Sequence, residues 1–400
     1  MRRLTAAAAL LYSAAHFAAS GVKQPLANFY SDFLASFPAW GMAFFYGRLD
    51  LYDGSLSNEW GPPPIWHYGP MLHAITTPLL AFPTSKSAYV AWLLVNYVFV
   101  VLTAIVAVRV IDGARPTLAT AIVVVCVFCN FNPLYEALTQ RNIELFELLL
   151  LFAAFLWLRK GRDTAAGIAV GTAAMAKFLP LIFMPWFVLK RKWDALGAAL
   201  LVIFPVVVVT EFVLGWENSG ILMQLRRSGM IVSELDQSLA GIAQRLFASR
   251  AAAGIIVVLA LIALCALMLR VRHAEDSDDL EWGILVVAMV LLPPHNEQYY
   301  FVFLLMPYLF LYARYRARWS WRAVPAAVSF LLVAVPLPFS LFGPKAFSFY
   351  LQAGIPFIGA ALLAAILVWE LSACPMQLEL VSSHVPRRDF LESQRLPQQP

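Results

Sequence analysis

Stretches of mostly apolar sequence recur along almost the whole chain, each parted from the next by a short polar or basic link. A helix needs about 20 such residues to cross a bilayer, and the chain offers roughly a dozen candidates. They are rich in Leu, Val, Ala and Phe, the composition of spanning helices and not of the short alternating strands of a membrane barrel. With 61% hydrophobic and 13% charged residues among 400, the apolar surface exceeds what one water-soluble core could hide. The expected fold is all-α, a polytopic transmembrane helical bundle.

The net charge of +5 could suggest nucleic acid, but the basic residues fall in short clusters between apolar segments. These are Arg2-Arg3, Arg159-Lys160 with Arg162, Lys190-Arg191-Lys192, Arg270 with Arg272, and Arg314 to Arg322. Clusters so placed mark cytoplasmic links, and no nucleic-acid partner is expected. The four cysteines, Cys126, Cys129, Cys265 and Cys374, lie in or beside apolar segments without metal-ligand partners, and read as small buried hydrophobes. Leu4 to Val22 reads as an uncleaved first helix, because many further spans follow it.

Keeping the basic clusters inside fixes much of the topology. The first helix runs outward from Arg2-Arg3, so residues 23–67 form a long outer loop that carries Asp32, Asp50 and Asp53. Trp40, Trp60 and Trp66 would anchor that loop at the headgroup level. The segment ending at Arg159-Lys160-Gly161-Arg162 must start outside, near Asn132 to Asn142. Only Asp163 to Leu189 separates that cluster from Lys190-Arg191-Lys192, too little for two ordinary spans and of the wrong parity for one. A pair of short helices bent at Lys177 to Pro180 resolves both problems and leaves Lys177 deep in the outer half of the membrane, where an ionisable side chain is a functional candidate. A second outer loop covers 215–250, and Pro293-Pro294-His295-Asn296-Glu297-Gln298-Tyr299-Tyr300 makes a polar island at the outer face.

Between Tyr68 and Phe131 there are three apolar segments where parity allows two, so the Pro-interrupted stretch from Pro70 to Pro83 is expected to be partial or re-entrant. The whole of 1–373 then reads as one membrane domain, followed by a polar, disordered cytoplasmic tail at 374–400. No internal repeat of the transporter kind is visible.

The polar islands thus gather on one face, where a carboxylate on an aromatic loop and several cations would suit a reaction between a lipid-borne phosphate and a hydroxyl. Several runs, in order along the chain, carry a resemblance. Ser31-Asp32-Phe33, Asp50-Leu51-Tyr52-Asp53 and Tyr68-Gly69-Pro70 resemble the first-loop pattern of glycosyltransferase family 87, the polyprenyl-phosphate-mannose-using mannosyltransferases of GT-C architecture. Thr139-Gln140-Arg141-Asn142 through Ala176-Lys177-Phe178-Leu179-Pro180 is similar to that family's central pattern. Asp236-Gln237-Ser238-Leu239-Ala240-Gly241 resembles its later Asn-Gln-Ser-Leu motif, with Asp in place of the first Asn.

The resemblance implies a GT-C type bundle whose long first extracytoplasmic loop carries short juxtamembrane helices, and an inverting transfer with Asp32 as general base. One carboxylate suffices, since a phosphate leaving group needs no proton, unlike the paired acids of glycoside hydrolases. An ordinary aspartate is ionised at neutral pH and can accept the acceptor's proton. Lys177, Arg141 and His295 are the candidates to balance the leaving phosphate, with Gln140, Asn142, Gln237, Glu297 and Tyr68 as further substrate contacts. The implied partners are a polyprenyl-phosphate-linked sugar donor, a lipid or glycan acceptor and membrane lipid. The implied location is the inner or plasma membrane, crossed many times.

Structural roles compete for the same residues. Ser31 or Asp32 could cap a short helix, and Asp50 and Asp53 could form turns. Arg141 and Glu144 could simply pair three positions apart, and Gln237-Ser238 could cap the helix that follows. No metal-ligand spacing and no phosphate-cradling glycine loop is present, so neither a metal, a cofactor nor a nucleotide-sugar donor is expected. The rival from another class is a transporter or flippase of a lipid-linked saccharide, which would want charges near the midplane and a path to both sides.

Overall fold

A computed structural model describes residues 2–27, 75, 77–82, 84–141, 143–214, 236–271, 276–293, 296–316, 321–335 and 343–373. All regular structure among them is helical. Helix α1 (Arg2–His16) continues through a π-helical stretch (Phe17–Lys23) into a last turn (Gln24–Ala27). Then come α2 (Ser85–Asp112), α3 (Leu118–Cys129), α4 (Asn132–Gln140), α5 (Glu144–Arg159), α6 (Asp163–Ala176), α7 (Phe183–Leu189) and α8 (Trp193–Leu214). The chain closes with α9 (Leu239–Phe247), α10 (Arg250–Val271), α11 (Asp278–Leu291), α12 (Leu305–Tyr315), α13 (Ala323–Ala334), α14 (Gly343–Gln352) and α15 (Ile355–Ser372).

Among the described residues, three helices are long and apolar enough to cross a membrane alone, within Lys86–Asp112, Arg250–Val271 and Ile355–Ser372. The pair α3 and α4 passes the same test as one span bent by 61°. The protein is therefore an all-α polytopic membrane protein. Shorter apolar helices accompany them, at Leu179–Leu189, Trp193–Val209 and Ala323–Ala334. The 3-10 turn Leu179–Ile182 joins α6 to α7, which realises the expected pair of short helices broken after Lys177. In the Pro70 to Pro83 stretch the longest described element is the 3-10 turn Thr77–Ala81, too short to cross.

Three of the basic clusters, at Arg159, at Lys190 to Lys192 and at Arg314 to Arg322, gather at one end of the bundle, held by acids or carbonyls of neighbouring helix ends. Arg316 pairs with Asp112, Lys192 with Asp163 at 3.1 Å, Arg314 with Asp279 at 2.5 Å and Arg322 with Glu370 at 3.3 Å. Arg159 donates to the Val110 carbonyl at 2.6 Å. Lys190 reaches Glu281 at 2.7 Å, and the same carboxylate accepts from Trp186 Nε1 at 2.8 Å and Ser277 Oγ at 2.6 Å. By the positive-inside rule this is the cytoplasmic end.

Inside the bundle helices meet through small residues and aromatic layers, as expected where lipid removes any hydrophobic preference for helix contact over solvent. On α6, Gly167 and Gly171 lie against Ala195 and Ala199 of α8, so close that a Cβ at Gly167 would strike the Ala195 carbonyl. Trp282 of α11 packs against Phe183, Trp186 and Phe155, with ring centroids 4.2, 5.3 and 5.7 Å away. The expectation of buried cysteines is corrected for three of the four: Cys126 and Cys129 are half-buried and Cys265 is exposed on α10, an apolar helix long enough to span, while Cys374 lies outside the described residues.

Candidate active site at the outer end of the bundle

At the end opposite the basic clusters, α5 begins with two acids, Glu144 and Glu147, both fully buried. Three positions apart on a helix, they share a face, and that face meets the broken joint after α6. There Lys177, buried like them, donates from Nζ to Glu144 Oε1 at 2.6 Å. The same ammonium lies 3.9 Å from the ring centre of Tyr300 and 5.5 Å from that of Tyr299. Neither oxygen of Glu147 has a hydrogen-bond partner among the described residues. Two carboxyls therefore face one ammonium in a water-poor setting, where a Coulomb interaction is several-fold stronger than at the surface.

The alternative pairing of Arg141 with Glu144 does not form, since Glu144 pairs with Lys177. Arg141 caps α4 in the left-handed conformation, φ 54°, which turns its side chain away from the helix that starts at Glu144. Its guanidinium instead packs on the Tyr89 ring and donates to the Pro25 carbonyl. Tyr89 Oη donates to the same carbonyl at 3.1 Å, and Trp92 Nε1 donates to the Arg141 carbonyl at 2.8 Å. An apolar cluster of Leu79, Ala88, Trp92, Ile143 and Ala176 lies under this knot and ties it to the residue preceding Lys177.

The motif Asp236 to Gly241 has a clear local logic. Ser238 is the N-cap of α9, accepting from Gly241 N at 2.9 Å. Asp236 Oδ1 accepts from Ser238 N at 2.8 Å and from Asn296 N at 3.0 Å. Gln237 N donates to the Asn296 carbonyl at 2.7 Å, and its Nε2 to the Leu351 carbonyl at 2.9 Å. A Cβ at Gly241 would collide with the Asp236 carboxyl, so glycine is required by space. The motif thus clamps the polar island at Asn296 to the rest of the outer end. Glu297, next along, is half-buried.

Lys177, Arg141, Gln140, Gln237 and Glu297 thus all lie at the outer end. Asp32, Tyr68, Asn142 and His295 are outside the described residues. Glu147, Tyr89, Trp92 and Asn296 were not singled out from sequence, although Glu147 carried a signal: a second acid one turn after Glu144 in an apolar segment.

A family model described as glycosyltransferase family 87 matches residues 66–294, more than half of the chain and all of the motifs from Gln140 to Asp236. The chain belongs to glycosyltransferase family 87. It is therefore a glycosyltransferase embedded in a membrane. No curated protein matches it.

Proposed function

We propose that this family 87 glycosyltransferase moves a hexose, with mannose the first sugar to test, from a polyprenyl phosphate to a lipid or glycan acceptor on the outer face of the inner or plasma membrane. The acceptor oxygen attacks the anomeric carbon opposite the phosphate, the Asp32 carboxylate takes the hydroxyl proton, and the polyprenyl phosphate departs with the bonding electron pair. The sugar's configuration inverts. Arg141, Lys177 and His295 supply positive charge for the phosphate, and Gln140, Asn142, Gln237, Glu297 and Tyr68 contact the substrates.

The observation that carries this reading is the hold of Arg141 and Tyr89 on the Pro25 carbonyl. Asp32 follows Ala27, the last residue of that helix, by a stretch of chain no longer than about 18 Å. That short reach supports a role for the Asp32 carboxylate at the end of the bundle where the other polar groups gather. Lys177 already faces Glu144, so a donor phosphate would share the ammonium with it.

The test is transfer of radiolabelled mannose from synthetic polyprenyl-phosphate-mannose to a membrane lipid extract by purified wild type, Asp32→Ala and Asp32→Asn. Loss of a general base costs about 10²–10⁴ in rate, so both variants should fall by at least that. Full transfer by either variant removes Asp32 from the mechanism. No transfer by the wild type moves the search to other lipid-linked sugars and then to the flippase reading.

A further inference from the structure

Away from the outer end, two cavities run side by side on the flank of the bundle. One, of about 630 Å³, lies between α1 and α3 and is lined by Thr5, Ala9, Ile122 and Asn130 among others. Its neighbour, of about 520 Å³, lies along α12 and α13, with Tyr312, Ala326 and Leu331 in its walls and Arg316 at one end. Val127 and Phe330 line both, so the two adjoin along one wall. In a bilayer, space of this kind opening toward hydrocarbon is filled by lipid.

Depth and charge say which lipid. On α13 the lining runs from Ala323 to Leu331, about 12 Å at 1.5 Å per residue. Half of a hydrocarbon core is about 15 Å. The second cavity therefore reaches about one leaflet deep from the end where Arg316 stands, which is the cytoplasmic end, and the first adjoins it at Val127 and Phe330. Arg316 is exposed and uses three of its N–H donors, on Asp112, on Thr120 Oγ1 at 3.0 Å and on the Ile111 carbonyl at 3.0 Å. A guanidinium carries five, so donors remain for a further oxygen acid. Arg109 and Arg115 flank Asp112, the ion-pair partner of Arg316, in sequence and are exposed. Three arginines against one aspartate leave this corner cationic, the arrangement that holds anionic headgroups at cytoplasmic helix ends.

We propose that the paired cavities hold one anionic diacyl phospholipid of the cytoplasmic leaflet, one chain on each side of the Val127–Phe330 wall and the phosphate at Arg316 and Arg115. The site is separate from the sugar-transfer site and does not depend on it.

Native mass spectrometry of the full chain, exchanged into micelles holding equal phosphatidylglycerol and phosphatidylethanolamine, tests this. The wild type should retain one phosphatidylglycerol with at least a fivefold preference. Ala326→Phe fills a cavity and should abolish retention. Arg115→Gln, on an exposed loop that no packing depends on, and Arg316→Gln should each bring the preference toward parity. Equal retention of both lipids by the wild type overturns the proposal, as does an Arg115→Gln protein with undiminished preference. Displacement of the phospholipid one-for-one by polyprenyl phosphate also overturns it, since the cavities would then belong to the donor's tail.

Discussion

Lys177 Nζ and Glu144 Oε1 meet at 2.6 Å where both side chains are shut off from solvent, and the carboxyl of Glu147, which has no hydrogen bond among the described residues, stands one turn away on the same helix. The pair is the point at which the broken joint after α6 is fastened to the start of α5. Buried ion pairs give little net stability, but removing one partner strands the other at high cost.

Lys177→Met should accordingly destabilise the protein by about 3–5 kcal/mol, because it leaves two buried carboxyls without their cation. The double variant Lys177→Met, Glu144→Gln should recover at least about 1 kcal/mol of that loss. Unfolding midpoints in detergent decide it, and equal midpoints for single and double variants would mean that the two groups are not coupled.

Arg141→Lys keeps the charge but loses the planar fork that packs on Tyr89 while reaching Pro25. The exit of the first helix should loosen. Faster proteolytic cleavage within residues 28–74, with a drop in sugar transfer larger than the drop in stability, is the expected result. Tyr89→Phe removes the hydrogen bond to the Pro25 carbonyl, worth about 1 kcal/mol, keeps the ring against Arg141 and should have a smaller effect on both readouts.

The glycines of α6 and α8 offer a controlled comparison. A side chain at Gly167 runs into the Ala195 backbone, whereas nothing lies within 4 Å of a Cβ at Gly197. Gly167→Val should cost about 3 kcal/mol through forced separation of α6 and α8. Gly197→Val, on the same pair of helices, should leave the unfolding midpoint close to wild type. A tolerated Gly167→Val would contradict the close packing of these two helices.

Asp236→Asn preserves an oxygen at Oδ1 for the amides of Ser238 and Asn296, whereas Asp236→Ala removes it. The alanine variant should lose about 1–3 kcal/mol, and hydrogen exchange at the Asn296 amide should accelerate with it. Protection of that amide equal to wild type in the alanine variant would refute the bridge.

The parts of the fold that sequence made legible are those governed by membrane thickness and charge sidedness. The distance between the clusters at Arg162 and Lys190 forced a bent pair of short helices, and the structure has it, with the break after Lys177. What stayed hidden was pairing across the bundle. Glu144 and Lys177 lie far apart in sequence, and local spacing favoured Arg141 as the partner of Glu144. A single left-handed residue reversed that choice. Likewise, the Asp236 motif resembled a family pattern, but only its folded form shows that the aspartate bridges to Asn296 and that glycine is needed to make room for it.

The π-helical stretch from Phe17 to Lys23 acts as a phase shifter within the first helix. Below it, Ser13 and His16 meet Asn130 and Cys129 of the α3 end; above it, Pro25 is aimed at Arg141 and Tyr89. Each residue of an α-helix advances the azimuth by about 100°, so one residue fewer in this stretch would swing the upper turn away from its two anchors while leaving the lower half docked. The direction in which the chain departs toward Asp32 is thus encoded by a count of residues in the middle of a helix, a property that point substitutions would not reveal and a one-residue deletion would.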